Sequence, residues 1–366
     1  MTYEAIPVSG INPHSIDRAG DTNKFYIRTQ NSNSFDVVNF QEGTTKTVDL
    51  VDHRPRAIGA PNLKYKIQLL SVKDMPMVDV IDTRTDRVLI SLGDRNYYDS
   101  AALTSNAGSG SATGHSFWLD EDHFALIDRV HSKVIVYKVS LSGGVLHFSK
   151  RSSIDTKTAL HAIERVKNKK NSSDAVTFYG LGEGDITKSI NPYLVEFKFH
   201  PSTGVLSRGR ETDLNQSTAK RGGKNPTTHH AGISPDGQFI YVPVFDGKVY
   251  IINRATMAIV NVVTAGFGAA HIEFSSTSNV AVVTNHFDQY VTVIDTRTQK
   301  TVKNIKITDH VFHDHLLQPH FSYMSKDGKY FYTFSTQDGD FLKINLETLE
   351  IEDTLHTGGA PEQAHS

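Results

Sequence analysis

Short runs rich in β-branched and aromatic residues recur along the chain, separated by Asp-Gly, Asn and Ser turns. The clearest stretch opens at Asn225-Pro226-Thr227-Thr228-His229-His230 and passes through the turn Ser234-Pro235-Asp236-Gly237. It continues with Phe239-Ile240-Tyr241-Val242, a second turn at Asp246-Gly247, Val249-Tyr250-Ile251-Ile252 and a closing run, Ile259 to Val263. The pattern restarts at Gly268-Ala269-Ala270-His271 and runs through Val280-Ala281-Val282-Val283 and Tyr290-Val291-Thr292-Val293-Ile294. Four such runs with tight turns between them predict a four-stranded antiparallel meander. Repetition of that unit at roughly 40–50 residues is the sequence mark of a β-propeller blade.

Seven first strands can be counted, beginning near Pro13, Pro55, Gly114, Leu160, Thr228, Gly268 and Pro319. The expected architecture is all-β, a seven-bladed β-propeller of four-stranded antiparallel blades, with residues 1–366 as a single domain. Tyr3 to Val8 reads as an outer strand that closes the last blade, and Gly358 to Ser366 resembles the start of a further first strand. Ser105 to Ser111 and the basic segment Lys220 to Lys224 lie in long polar connections, each leading into a first strand.

Charge removes several function classes. Acids and bases nearly cancel, at a net −2, which gives no electrostatic case for nucleic acid or an anionic membrane. No apolar run is long enough for membrane insertion. With no cysteine there are no disulfides, thiolate ligands or thiol nucleophiles. Met1 to Gly10 carries no secretory signal, which fits a mature periplasmic or secreted form with an added Met, and the composition is compatible with the cytoplasm too.

Histidine is the unusual component, with 18 beside a single Trp. In a meander, the segment leading into the first strand and the turn between the second and third share one end of the sheet. Most of the histidines sort to that end. His14, His115, His161, His230, His271 and His320 stand at first-strand starts, and Arg56 takes that place in the second blade. First strands of a propeller line its central channel, so these positions are expected to converge at the channel mouth. Imidazole is a common ligand for zinc, copper, iron and nickel. His229 joins His230 only if the pair lies off a regular strand, since neighbouring strand side chains point oppositely. His131 and His286 fall on second-to-third turns at the same end, and His310-Val311-Phe312-His313-Asp314-His315 is a candidate mobile metal-gathering loop. Glu164 and Glu273, near His161 and His271, are candidates for orienting imidazoles or transferring protons, and Asp52, Asp288 and Asp314 for similar support. Against these stands the plainer alternative that each histidine bonds its own backbone neighbours.

The repeat from Ile233-Ser234-Pro235-Asp236-Gly237 to Val291-Thr292-Val293-Ile294-Asp295-Thr296 resembles the YVTN-type β-propeller repeat. The histidine-lined mouth is similar to the copper propellers, namely the N-terminal domain of nitrous oxide reductase and thiocyanate dehydrogenase. It is also similar to the periplasmic zinc-chaperone propellers that serve ABC-type importers. The resemblance implies a metal set of His14, His115, His161, His229, His230, His271 and His320. It implies copper as cofactor, with zinc as the alternative. The expected function is a copper-dependent oxidoreductase, with Arg56 holding a small-molecule or anionic substrate and Glu164 and Glu273 assisting. A zinc or copper metallochaperone and a metal-free interaction scaffold are the alternatives. A redox or transporter protein is the expected partner.

Overall fold

The computed structural model describes residues 13–29, 32–97, 111–165, 175–214, 225–310 and 319–359, excepting the side chains of 13–15 and 29. The expectations for Tyr3 to Val8, Ser105 to Gly110, Lys220 to Lys224, His313 to His315 and the C-terminal residues from Ala360 lie outside the described residues. So does the side chain of His14.

Strands are numbered in chain order. Blade one holds β1 (Pro13–Arg18), β2 (Lys24–Thr29), β3 (Ser34–Asn39) and β4 (Thr44–Asp49). Blade two holds β5 (Pro55–Ile58), β6 (Ile67–Val72), β7 (Met77–Asp82) and β8 (Arg87–Gly93). Blade three holds β9 (Phe117–Trp118), β10 (His123–Asp128), β11 (Lys133–Ser142) and β12 (Val145–Asp155). Blade four holds β13 (Leu160–Arg165), β14 (Val176–Gly182), β15 (Tyr193–His200) and β16 (Val205–Asp213). Blade five holds β17 (Gly232–Ile233), β18 (Phe239–Val244), β19 (Lys248–Asn253) and β20 (Ala258–Thr264). Blade six holds β21 (Ala269–Phe274), β22 (Val280–Asn285), β23 (Tyr290–Asp295) and β24 (Lys300–Lys306). Blade seven holds β25 (Tyr323–Met324), β26 (Tyr330–Ser335), β27 (Asp340–Asn345) and β28 (Glu350–His356). Within each sheet the strands follow sequence order, so every blade is a meander, and the fold is a seven-bladed β-propeller. The chain divides into two compact units. Among the described residues, one contains Leu181–Val195 and those from Arg210 onward, and the other contains those up to Gly180 with Glu196–Gly209.

Turn chemistry sets the strand register. Ser234 Oγ accepts from the Phe239 amide (2.9 Å) and bonds Asp236 Oδ1 (2.6 Å), while Gly237 takes φ 71°. Blade seven repeats the device: Ser325 Oγ accepts from the Tyr330 amide (2.9 Å) and bonds Asp327 Oδ1 (2.6 Å), and Gly328 takes φ 67°. A side chain at either glycine would sit in the left-handed region that only glycine tolerates cheaply.

The continuous apolar runs of second and third strands follow from burial on both faces. β18 and β22 are buried from their second residue onward. Tyr241, Ile251, Ile272 and Val283 join blades five and six, and Val282, Val293, Phe331 and Ile344 join blades six and seven. In the other unit Tyr26, Phe35, Ile58 and Leu70 join blades one and two. Fourth strands such as β20 alternate between exposed and half-buried residues, as an outer edge should.

Candidate metal centre

The first strands carry a local irregularity that the sequence does not display. In blade six Ala269 pairs with Asn285 and His271 pairs with Thr284, so Ala270 is bulged out of the ladder. In blade two Pro55 pairs with Val72 and Ala57 with Ser71, which bulges Arg56. In blade one the bulged residue is His14. Counting from Thr228↔Val244 and Gly232↔Tyr241 puts His229 at this position in blade five, with His230 matching His271. Counting from Tyr323↔Tyr332 puts His320 there in blade seven. The six first-strand histidines are therefore not equivalent. They occupy two adjacent positions, and the expectation of one shared position is corrected. A bulge re-aims its side chain, which explains why Arg56, His229 and His320 are buried while His230 and His271 are only half-buried.

Blade six fixes the geometry. The loop leading into β21 is latched to the β22–β23 turn. Gly266 donates its N–H to Asn285 Oδ1 (3.0 Å), Phe267 donates to Asp288 Oδ2 (2.5 Å), and the Gly268 carbonyl accepts from the His286 N–H (2.8 Å). Asn285 in turn donates from Nδ2 to the Tyr290 carbonyl (2.8 Å) and Thr292 Oγ1 (3.0 Å). Asp288 thus holds backbone rather than an imidazole. Gly268 takes φ 78°, and a Cβ there would meet Phe287 at 2.6 Å, so no other residue fits. The latch presents His271 and His286 from the same end of one sheet.

His229 and His320 close on this pair from the flanking blades. His229, His271, His286 and His320 each offer one ring nitrogen, and the four nitrogens lie within 4.8 Å of one another. The six ring-centroid separations are 4.9 Å (His229–His271), 5.1 Å (His229–His286), 5.9 Å (His229–His320), 5.3 Å (His271–His286), 5.1 Å (His271–His320) and 5.0 Å (His286–His320). Four points with nearly equal separations form a tetrahedron, whereas in a square two of the six would be about 40% longer. Metal–nitrogen bonds of about 2.0–2.1 Å would place the centroids of four tetrahedral imidazole ligands about 5 Å apart. The donor set therefore fits one ion that favours tetrahedral coordination. His286 shows how its ring is aimed: Nδ1 lies 2.9 Å from the Pro319 carbonyl. A carbonyl only accepts, so Nδ1 carries the proton and Nε2 is the nitrogen that can hold a cation.

His286 was not in the ligand set expected from sequence. It lies on a second-to-third turn, and sorting histidines by end of the sheet was the one signal that included it. His230 stacks on His271 (4.5 Å, 27°) and contacts His229 (4.8 Å), with its N–H donated to the Ala270 carbonyl at 3.1 Å. The consecutive histidines converge because neither belongs to a regular strand. Glu273 follows two residues after His271 and accepts from Ser322 Oγ at 3.4 Å.

The remaining candidates belong to the other unit. His115 and His161 are 5.5 Å apart, and the His115 N–H donates to the His161 carbonyl at 3.3 Å. Glu164 is half-buried on β13, and Arg56 is buried on β5. Several further histidines are committed to carboxylates. His53 lies between Asp52 and Asp79, 2.7 Å from each. Burial alone would lower its pKa, but the two carboxylates outweigh it and hold the ring protonated above the usual histidine range. His123 bonds Asp120, His131 bonds Asp128, His356 bonds Asp340, and His310 lies 3.0 Å from Asp338.

No family profile matches the sequence, and no curated protein matches it. Solved structures do resemble it in fold. Sqt1 of Saccharomyces cerevisiae superposes with a TM-score of 0.68 at 10% identity, covering 96% of this chain and 87% of that one. The dihydro-heme d1 dehydrogenase NirN also gives 0.68, at 9% identity, over 95% of this chain and 67% of that one. The Dos1 propeller gives 0.68 at 13% identity, over 95% of this chain and 85% of that one. At these identities the likeness speaks for the β-propeller fold alone.

Proposed function

We propose that this propeller is a metallochaperone that binds one transition-metal ion through His229, His271, His286 and His320, with zinc or copper(I) as cargo. The near-tetrahedral spacing of the four rings carries the reading. A closed shell of four protein ligands leaves no coordination position for a substrate, which is the arrangement of a holding site rather than a catalytic one. Copper(II), which prefers a tetragonal plane, suits the set less well. His271 is half-buried, so the ion has a way in and out past one ligand, and His230 stacked upon it is a second imidazole to which an ion can pass. The proposal extends to the whole chain as one domain of the YVTN type, exported and delivering its ion to a membrane transporter.

The copper-dependent oxidoreductase is the second reading, and His230 is the observation that favours it. A fifth imidazole beside the four would allow a second ion, and Glu273 stands two residues along the strand for proton transfer.

Elemental analysis of protein purified without a histidine tag separates these. One zinc or copper(I) per chain is expected, with His286→Ala lowering affinity by more than the roughly 10- to 100-fold typical of a lost supporting residue. Two coppers with visible absorption would replace the chaperone by the oxidoreductase. Unchanged affinity in both His286→Ala and His320→Ala would end the metal reading.

A further inference from the structure

Two edges of the four-histidine cluster have neighbours of opposite chemistry. His230 borders His229 and His271, with ring centroids 4.8 and 4.5 Å away. Phe245 borders His229 and His286, at 5.8 and 5.9 Å. His230 is half-buried, whereas Phe245 is buried. One edge is therefore polar and partly open to solvent, and the other is apolar and closed.

Phe245 reaches the cluster because of its place in the blade. Thr228 pairs with Val244 in blade five as Ala269 pairs with Asn285 in blade six. Phe245 follows Val244 as His286 follows Asn285, so the two stand at equivalent turn positions of adjacent blades. The backbone ties them together. Phe245 donates its N–H to the Thr227 carbonyl (3.0 Å), and its carbonyl accepts from the Gly268 N–H (2.8 Å). The Gly268 carbonyl in turn accepts from the His286 N–H (2.8 Å). The Phe245 ring packs edge-on against Phe287 at 5.2 Å, and Phe287 lies 5.0 Å from Phe267. With Ala270 these rings form one buried apolar cluster. A water or other polar ligand on that side would be stripped of its hydration among carbon atoms, which is costly.

We propose that Phe245 is the specificity-determining residue of the metal centre: it closes the His229–His286 edge to water and to a fifth ligand. The inference rests on the metallochaperone reading and names the class of its cargo. Zinc and copper(I) accept a closed tetrahedron of imidazoles, whereas copper(II) favours a tetragonal set that the phenyl ring obstructs. A histidine at 245 would stand where His286 stands in the next blade and would offer a fifth donor.

Cobalt(II) is the probe of coordination number, because tetrahedral cobalt(II) absorbs visible light far more strongly than five- or six-coordinate cobalt(II). The native chain should give the intense tetrahedral bands. Phe245→His, which keeps most of the ring volume, should lose most of that intensity as the added imidazole binds. Phe245→Leu, which stays apolar, should keep the native spectrum. In chelator competition, Phe245→His should narrow the preference for zinc over copper(II) by roughly tenfold or more. Phe245→Ala should shift it in the same direction by admitting water. A ring that merely packs would lower both affinities together and leave their ratio and the cobalt spectrum unchanged. That result in Phe245→His, beside a native chain with tetrahedral bands, overturns this inference and leaves the four-histidine site standing. A native chain that binds neither cobalt nor zinc overturns both.

Discussion

His229 and His320 in blades five and seven and Arg56 in blade two stand at the same place, one residue beyond the start of the first-strand ladder. In all three the side chain is buried. The backbone thus decides that something is buried there, and the side chain decides what it gathers. A neutral imidazole can be buried at modest cost and offers a lone pair, so two of them with His271 and His286 make up the proposed cation site. Guanidinium stays charged when buried and offers no lone pair, so Arg56 at the same place cannot join a cation site.

Exchanging the residues tests this most severely. His229→Arg would place a fixed charge against three imidazoles and should abolish metal binding. We expect a loss of about 3–5 kcal/mol in urea unfolding, the usual cost of an uncompensated buried charge. If the variant binds its ion normally, the position does not set the chemistry and the comparison fails. Arg56→His should leave metal binding unchanged.

His53 extends the contrast, because there blade two uses histidine as a cation. His53→Ala strands Asp79, which is fully buried, and should cost about 3 kcal/mol. The sign of its pH dependence follows from the raised pKa. The stabilisation is complete below the ordinary histidine value of about 6.5 and is lost as pH rises through the higher folded value. Native protein should lose stability across that window, and His53→Ala should lack that slope in urea melts taken from pH 6 upward.

The contrast was only half legible in the sequence. Blade number could be read because turns such as Ser234-Pro235-Asp236-Gly237 and Ser325-Lys326-Asp327-Gly328 impose strand ends through local hydrogen bonds. The end of the sheet on which histidines gather was legible for the same reason. The one-residue offset between His229 and His230 was not, because a bulge is a property of two paired strands. His286 was left out of the ligand set because a turn residue enters a site only through the loop that packs beside it. The latch from Gly266 to Gly268 supplies that packing for His286.

Gly268→Ala probes that latch. The positive φ and the contact with Phe287 should cost about 2 kcal/mol and displace His286. Metal affinity should fall with stability, whereas Gly237→Ala, in a turn at the other end of blade five, should lower stability alone.

The smallest effect separates blades six and two most cleanly. Thr284 and Ser71 are equivalent, each opposite the residue after the bulge. Thr284 Oγ1 accepts the His271 N–H at 3.2 Å and so braces a proposed ligand, whereas Ser71 Oγ bonds Ser116 Oγ and accepts its N–H, both at 2.9 Å. Thr284→Val and Ser71→Ala each remove one buried acceptor and should each cost about 1 kcal/mol. Thr284→Val should also loosen metal binding a few-fold in a chelator competition, because the amide it abandons belongs to His271. Ser71→Ala should leave the metal constant unchanged. Equal metal constants in the two variants would mean that the bulge holds His271 without the hydroxyl, and that ligand placement rests on the Gly266–Asn285 latch alone.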